Sequence, residues 1–465
     1  MNGLKGFWSG MIVVFIILGL SSTTGFAQEG TVQEIKKQIE VLTEEMEKLK
    51  LGAVAEPKYE RFMGLGPAAS KVYRIEKGLS LAGYGEFLYE NYNKKRDDGK
   101  EATQRDQFDA LRAVIYLGYK FSDRIIFNSE IEFEHGRTGD PKGVPQERTG
   151  SVAVEFAYLD FLLSKPVNVR TGMVLVPMGF LTELHEPPTF HGAMKPDVER
   201  IILPSIWRDN GVGILGGPLG DLEYKLYLVS SLYAKGFSSD RGIAGGRQQG
   251  AYSISEDLAL TGRIDYKGIP GTVIGASFFS GNTGQSSKVS VTQKDYDYEV
   301  TDTSGNKRTI TVNKTAENSL PDSRVNLWDI HAEVNIRGLE IRGLYAQGTI
   351  GDVAQLNQAR GLTGNKSIGE KFYGWYLDVG YDILPLLVKG TRQALTPYII
   401  YERYNTQQKV PAGYTADPAN NRTTTTFGIG YKPDPLIVIK ADYQDRKNKA
   451  GTAVDQFNIA IAYMF

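Results

Sequence analysis

The sequence predicts an all-β protein, a 16-stranded antiparallel transmembrane β-barrel with a short N-terminal α-helical coiled coil ahead of it. Three observations predict it. The last nine residues, 457–465 (FNIAIAYMF), alternate strictly: Phe457, Ile459, Ile461, Tyr463 and Phe465 share one face, and Asn458, Ala460, Ala462 and Met464 share the other. A strand has period 2, so this is an apolar ribbon with a small or polar back. From Gly78 onward the chain parses into segments of the same kind. The connections between them alternate between short turns and long loops, as strands that cross a bilayer back and forth require.

The elements follow in order. Lys5 precedes an apolar run at 11–20 (MIVVFIILGL), and Gly25-Phe26-Ala27 places small residues at the cleavage positions. These are the parts of a secretory signal peptide over 1–27, cut after Ala27. Ten apolar residues fall well short of the roughly 20 that a spanning helix needs. No Cys follows the run, which excludes a lipoprotein.

Residues 28–51 predict a periplasmic coiled coil. Val32, Ile35, Ile39, Leu42, Met46 and Leu49 recur at spacings of 3, 4, 3, 4 and 3, with Glu and Lys filling most other positions. A helix of about 20 residues is marginal alone, so these heptads imply a homo-oligomer, and Ile in the seam favours more than two strands. The competing reading is an amphipathic helix that lies on its own barrel or plugs it. Residues 52–77, with Pro57, Gly64, Gly66 and Pro67, read as an irregular periplasmic linker.

The barrel is expected over 78–465. Its strands are predicted at 78–92, 108–121, 124–135, 149–163, 167–180, 210–218, 221–234, 257–267, 271–281, 324–337, 339–350, 371–384, 394–405, 423–432, 435–445 and 454–465. Counts of 14 or 18 compete, because 210–218 is short and the loop 282–323 carries a possible hairpin of 287–291 with 308–312. The long connections all fall on one side, outside the cell if the N-terminus is periplasmic. Two connections are off pattern: 385–393 is long for a turn, and 446–453 is short for an outer loop.

One face of each strand is apolar and the other polar. Leu111, Ala113, Ile115 and Leu117 are expected to face lipid, and Arg112 the lumen. Further on, Trp328, Ile330 and Val334 should face out, with Asp329, His331, Glu333 and Arg337 inside. The pore lining is assigned to Arg112, Glu130, Glu132, Arg263, Asp329, Glu333 and Arg337. A packed soluble core could not bury such charges without large desolvation costs, whereas a water-filled lumen can.

The third long connection, 181–210, is unlike the rest. Leu184, Phe190, Met194, Ile201, Ile202, Leu203, Ile206 and Trp207 make it too apolar for a solvated loop. It is expected to fold into the barrel, press 201–207 against the wall and narrow the pore. His185, Glu186, His191, Lys195, Asp197, Glu199, Arg200 and Arg208 are the expected constriction residues, since charges at a narrow point set ion selectivity.

Other chemistries find little support in the residues. The chain has no Cys, hence no disulfide or thiolate site. Its net charge of −1 gives no reason to expect nucleic acid. His185, Glu186 and His191 match no local metal-ligand spacing, and no nucleophile motif accompanies His135 or His331. Neither a metal, a cofactor nor an enzymatic centre is expected.

The opening strand LSLAGYGEF (79–87), VLVPMGFLTE (174–183) and VERIILPSIWRDNGVG (198–213) give the chain a further likeness. On these it resembles the phosphate-selective porin O and P family, over about 78–465. The resemblance implies a trimeric 16-stranded porin in the bacterial outer membrane, in contact with lipid and lipopolysaccharide. The C-terminal ribbon ending in Phe465 looks like the signal read by the barrel-assembly machinery. The family's phosphate selectivity rests on a ladder of inward Arg and clustered Lys. Here Arg112, Arg170, Arg263 and Arg337 stand among Glu130, Glu132, Glu155, Asp265, Asp329, Glu333 and Asp378. The expectation is therefore passive diffusion of small hydrophilic solutes or ions with weak selectivity. The alternative function is a structural or adhesive outer-membrane protein whose coiled coil contacts the cell wall.

Overall fold

A computed structural model describes residues 61–136, 150–301, 304 and 306–465. The expected signal peptide (1–27) and coiled coil (28–51) lie outside the described residues.

Among the described residues, alternation of apolar and polar side chains produces 18 strands. They are β1 (Gly78–Tyr92), β2 (Gln107–Ser122), β3 (Ile125–Glu134), β4 (Val152–Phe161), β5 (Asn168–Leu175), β6 (Arg208–Gly216), β7 (Leu222–Ser230), β8 (Leu258–Tyr266) and β9 (Thr272–Gly281). The rest are β10 (Lys288–Thr301), β11 (Lys307–Ser319), β12 (Val325–Ile336), β13 (Leu339–Ile350), β14 (Lys371–Tyr381), β15 (Ala394–Lys409), β16 (Asn421–Asp434), β17 (Ile437–Asn448) and β18 (Gln456–Met464). Sixteen of them close into one antiparallel barrel, each paired with its neighbour in sequence except that β12 follows β9. The remaining pair, β10 and β11, forms a separate hairpin inserted between those two.

The hairpin was expected at shorter range. Instead of 287–291 with 308–312, Lys288 pairs Ser319 and Thr301 pairs Lys307. The alternation in 288–301 and 307–319 continues well past the two short runs that stood out in the sequence.

The closing ribbon is the last barrel strand. β18 pairs antiparallel with β1, from Tyr84 opposite Met464 to Tyr92 opposite Gln456. Phe457, Ile459, Ile461 and Tyr463 are exposed, and the alternate residues are buried. The Phe465 amide donates to the Gly83 carbonyl at 2.9 Å, so the terminal residue completes the seam.

Exposed large apolar residues recur around the barrel: Leu79 and Leu81 on β1, Leu258 and Leu260 on β8, Trp328 and Ile330 on β12, Ile437 and Ile439 on β17. Such a continuous apolar exterior belongs in lipid. A closed sheet leaves no backbone group unpaired there, which is how strands cross a bilayer. The barrel is that of a bacterial outer-membrane protein.

Several strand ends differ from the expected spans by a few residues, and two of them bear on the lumen. The fifth ends at Leu175 rather than 180, and the sixth begins at Arg208 rather than 210. Beyond Leu175 only Val176 still reaches the facing chain, its amide donating to the Trp207 carbonyl at 2.8 Å. From there the chain turns into the lumen. A β-bulge opposite Glu86–Leu88 also overturns one facing. It puts an extra residue into β2, and Leu111 packs with the buried Leu88, Ala193 and Ala460 rather than facing lipid.

Candidate functional site

The lumen holds two segments, residues 176–207 from one side and residues 61–77 from the other. Loop 176–207 is held by wall carboxylates that accept its backbone amides. Asp329 on β12 takes the Gly179 amide at 3.1 Å, Glu402 on β15 takes Val198 at 3.0 Å, and Asp442 on β17 takes Ala193 at 2.7 Å. The loop's own Glu199 accepts from Phe180 (3.1 Å), Leu181 (3.2 Å) and the Tyr376 hydroxyl (2.9 Å). Lys440 donates to the carbonyls of Pro187 and Gly192 at 2.8 and 2.9 Å. A buried loop must have its peptide groups satisfied, and the wall's charged side chains do this. The apolar run is buried as expected: Ile202 and Leu203 are fully covered, and Trp207 packs on Phe279 with ring centroids 4.5 Å apart.

Residues 61–77 do not form the periplasmic linker expected of them. They pack against the luminal face, with Leu65, Ala69, Ser70 and Val72 buried. Arg61 pairs with Glu333 on β12 at 3.1 Å. Tyr73 donates to Asp160 on β4 at 2.6 Å, and Arg170 on β5 clamps that same carboxylate at 2.7 and 2.8 Å. The segment thus reaches from β12 to β4. It also rests on the loop, since the Ala68 and Ala69 amides donate to Glu186 at 3.1 and 2.9 Å and the Gly66 amide donates to the Glu183 carbonyl at 3.0 Å. The approach needs small residues: a Cβ on Gly66 would lie 2.3 Å from the Glu186 carboxylate, and one on Gly118 of β2 would lie 2.6 Å from Val72.

The expected constriction residues therefore divide. Lys195, Arg200 and Arg208 line an open cavity of about 330 Å³, together with Arg112, Glu132, Glu155 and Arg247. Arg200 and Asp197 border a second cavity of about 470 Å³ with Glu90, Arg422, Arg446 and Lys447. Asp197 is engaged by Arg446 (2.8 Å), Arg200 (3.1 Å) and the Tyr404 hydroxyl (3.1 Å). His191 bridges Asp378 (2.7 Å) and Glu340 (3.0 Å) on the wall.

His185, Glu186 and Glu199 do not stand at the opening. All three are buried, because amides of the packed layer or wall groups consume their polar atoms.

Of the expected pore lining, Arg112 and Glu132 face the smaller cavity. Glu130 is buried against His185. Arg263 is bound to Asp265 and to the Gly179 carbonyl, and Asp329 to His331 and Gly179. Glu333 is held by Arg61 and Arg342. Arg337 lies in the turn after β12, exposed and at positive φ, beyond the last paired position of the strand. The pairing ends one residue earlier, at Ile336, where Gly338 makes the turn.

Glu90, Arg247, Arg422 and Arg446 were not singled out by sequence. Arg422 and Arg446 sit on polar positions of β16 and β17, where the alternation alone marks them as luminal.

An uncharacterised protein of Aquifex aeolicus (strain VF5) is 36% identical over 429 residues, covering 90% of this chain and 87% of that one. The chain belongs to that protein's family. No family model matches it. Among solved structures, it is similar to OmpF of Salmonella typhi in complex with daunomycin (TM-score 0.49, 13% identity), with 84% of this chain and 98% of that one covered. It is also similar to an anion-selective porin of Comamonas acidovorans (TM-score 0.46, 12% identity), over 84% of this chain and 100% of that one. The outer-membrane channel DcaP of Acinetobacter baumannii has a TM-score of 0.46 at 11% identity, over 83% of this chain and 97% of that one. At these identities and scores the likeness bears on no residue's role.

Proposed function

We propose that the chain is an outer-membrane porin for passive diffusion of small hydrophilic solutes, with a modest preference for anions. The observation that carries this reading is the division of labour among luminal charges. Glu186, Glu199, Asp329, Glu402 and Asp442 are occupied as acceptors for backbone amides of the packed layer. Lys195, Arg247 and Arg422 border the two open cavities without a carboxylate partner among the described residues, Arg247 donating to the carbonyls of Ala244 and Pro204 and Arg422 to the carbonyl of Ala419. Acids remain at both cavities, but bases outnumber them: Arg112, Lys195, Arg200, Arg208 and Arg247 against Glu132, Glu134 and Glu155 in one, and Arg200, Arg422, Arg446 and Lys447 against Glu90 and Asp197 in the other, a balance that favours a passing anion.

Phosphate falls within this class of anions, but the bases are spread over two cavities and form no ladder that would single it out. Three chains are the expected assembly, joined through the heptads of 28–51, with lipid and lipopolysaccharide around the barrel and Phe465 presented to the assembly machinery.

The test is conductance of the full-length protein in planar bilayers. The reading predicts discrete steps that close in groups of three, and a silent barrel would overturn it. Deleting 31–51 is expected to weaken the oligomer in native electrophoresis, and an unchanged trimer would remove that role from the heptads.

A further inference from the structure

We propose that Glu130, Glu155 and His185 form a binding site for a divalent transition-metal cation that ties the constriction loop to the barrel wall. The residues come from three elements, so no spacing in the sequence announces them. Glu130 lies on β3. Glu155 lies on β4 at a bulge, because Phe156 pairs with Glu130 and the next pair is Ile131 with Val154. The extra residue is Glu155, and the bulge leaves both Glu155 and Phe156 buried on the inner side. His185 descends from the loop between them.

The donor atoms already converge. His185 Nε2 lies 2.9 and 3.1 Å from the two oxygens of Glu130 and 3.9 Å from Glu155 Oε2. A metal about 2.1 Å from two ligands at the tetrahedral angle holds them about 3.4 Å apart, between the separations of 2.9 and 3.9 Å seen here, so a shared ion needs little movement.

The imidazole is also set up for it. Its Nδ1 is 3.0 Å from the Thr182 carbonyl, which can only accept, so Nδ1 carries a proton and donates. Nε2 then faces the carboxyl groups of Glu130 and Glu155. A cation there resolves the contact in the manner of metal-bound histidines, whose far nitrogen donates to a carbonyl.

A second observation comes from Glu155. Its Oε2 is buried and has no hydrogen-bond partner, although it points into this group. The other carboxylate oxygens are oriented from outside: Arg208 donates to Glu155 Oε1 at 3.1 Å, and the Tyr84 hydroxyl donates to Glu130 Oε1 at 3.4 Å. Glu155 borders the cavity of about 330 Å³, which provides an access route. One imidazole with two carboxylates suits zinc or manganese better than calcium, which takes oxygen ligands. Lys195 and Arg208 border the same cavity and oppose a cation there, which favours an ion held by nitrogen coordination over one held by charge alone.

The experiment uses the full-length detergent-solubilised protein, freed of metal by chelation and titrated with Zn²⁺ in a calorimeter. X-ray absorption at the zinc edge then reports the ligands. The proposal predicts one ion per chain, one nitrogen among its ligands, and affinity at least about tenfold lower in both His185→Gln and Glu155→Gln. The absence of saturable binding, an oxygen-only shell, or equal binding by both variants would overturn it. Barrels that migrate as folded on unheated gels are the only ones compared. If neither variant folds, the absorption spectrum of the wild-type protein alone decides, since a shell without nitrogen contradicts the site.

Discussion

Residues 176–207 and residues 61–77 fill one lumen from opposite ends, yet they are held in different ways. The loop is fastened by the wall: β12, β15 and β17 each contribute a carboxylate to its amides. The inner segment is fastened partly by the wall, through Tyr73 and Arg61, and partly by the loop, through Glu186 and the Glu183 carbonyl. The dependence runs in one direction. The wall carboxylates hold the loop without passing through the inner segment, so the loop is expected to stand without it, whereas the inner segment loses a support when the loop goes.

The strongest way to break this comparison is to replace 182–203 with a short Gly-Ser run. Single-channel conductance is expected to rise several-fold, because the obstruction and its charged groups leave the lumen together. Residues 61–77 are expected to become cleavable by added protease. If they stay protected, the claimed dependence is wrong.

The reverse exchange, Gly-Ser in place of 61–74, is expected to raise conductance less. Amides 179–181 and 193–198 should keep their protection from hydrogen exchange. Rapid exchange there would mean that the inner segment supports the loop after all.

Single substitutions sharpen the comparison on a smaller scale. Glu199→Ala strands the Phe180 and Leu181 amides and the Tyr376 hydroxyl. Local opening of the loop is then expected to become easier by about 2–4 kcal/mol, at a cost of about 1–3 kcal/mol per stranded group with partial rescue by water. Hydrogen exchange at 180–181 reads this directly, and unchanged exchange would remove Glu199 from its role. Tyr73→Phe takes one donor from Asp160, which keeps Arg170. The expected effect is about 1 kcal/mol, confined to exchange in 69–74, and loss of protection in the loop would contradict the one-way dependence.

The same comparison explains what could be read from sequence. Loop 176–207 announced itself because Ile201, Ile202, Leu203, Ile206 and Trp207 are too apolar for water, and the barrel strands because period-2 alternation has one physical meaning. The inner segment gave no such signal. Its Gly64, Gly66, Pro67, Ala68 and Ala69 are what a linker would carry, yet Gly66, Ala68 and Ala69 serve close approach to Glu186. That contact lies 117 residues away in the chain. For the same reason Glu186 and Glu199 looked like constriction charges. A carboxylate in a luminal loop reads identically whether it meets water or caps an amide, and only the fold distinguishes the two. Arg337 was misassigned because alternation was carried one residue past the end of β12.

The central claim is that several luminal acids are occupied in holding the packed layer, which leaves bases in excess around the two open cavities. The zero-current potential across a bilayer in a KCl gradient tests it most directly, for the wild-type channel and for Lys195→Gln combined with Arg422→Gln. The account predicts an anion-preferring potential in the wild type that moves toward the cation-preferring side in the double variant. A cation-preferring wild type, or a potential that does not change, would contradict it.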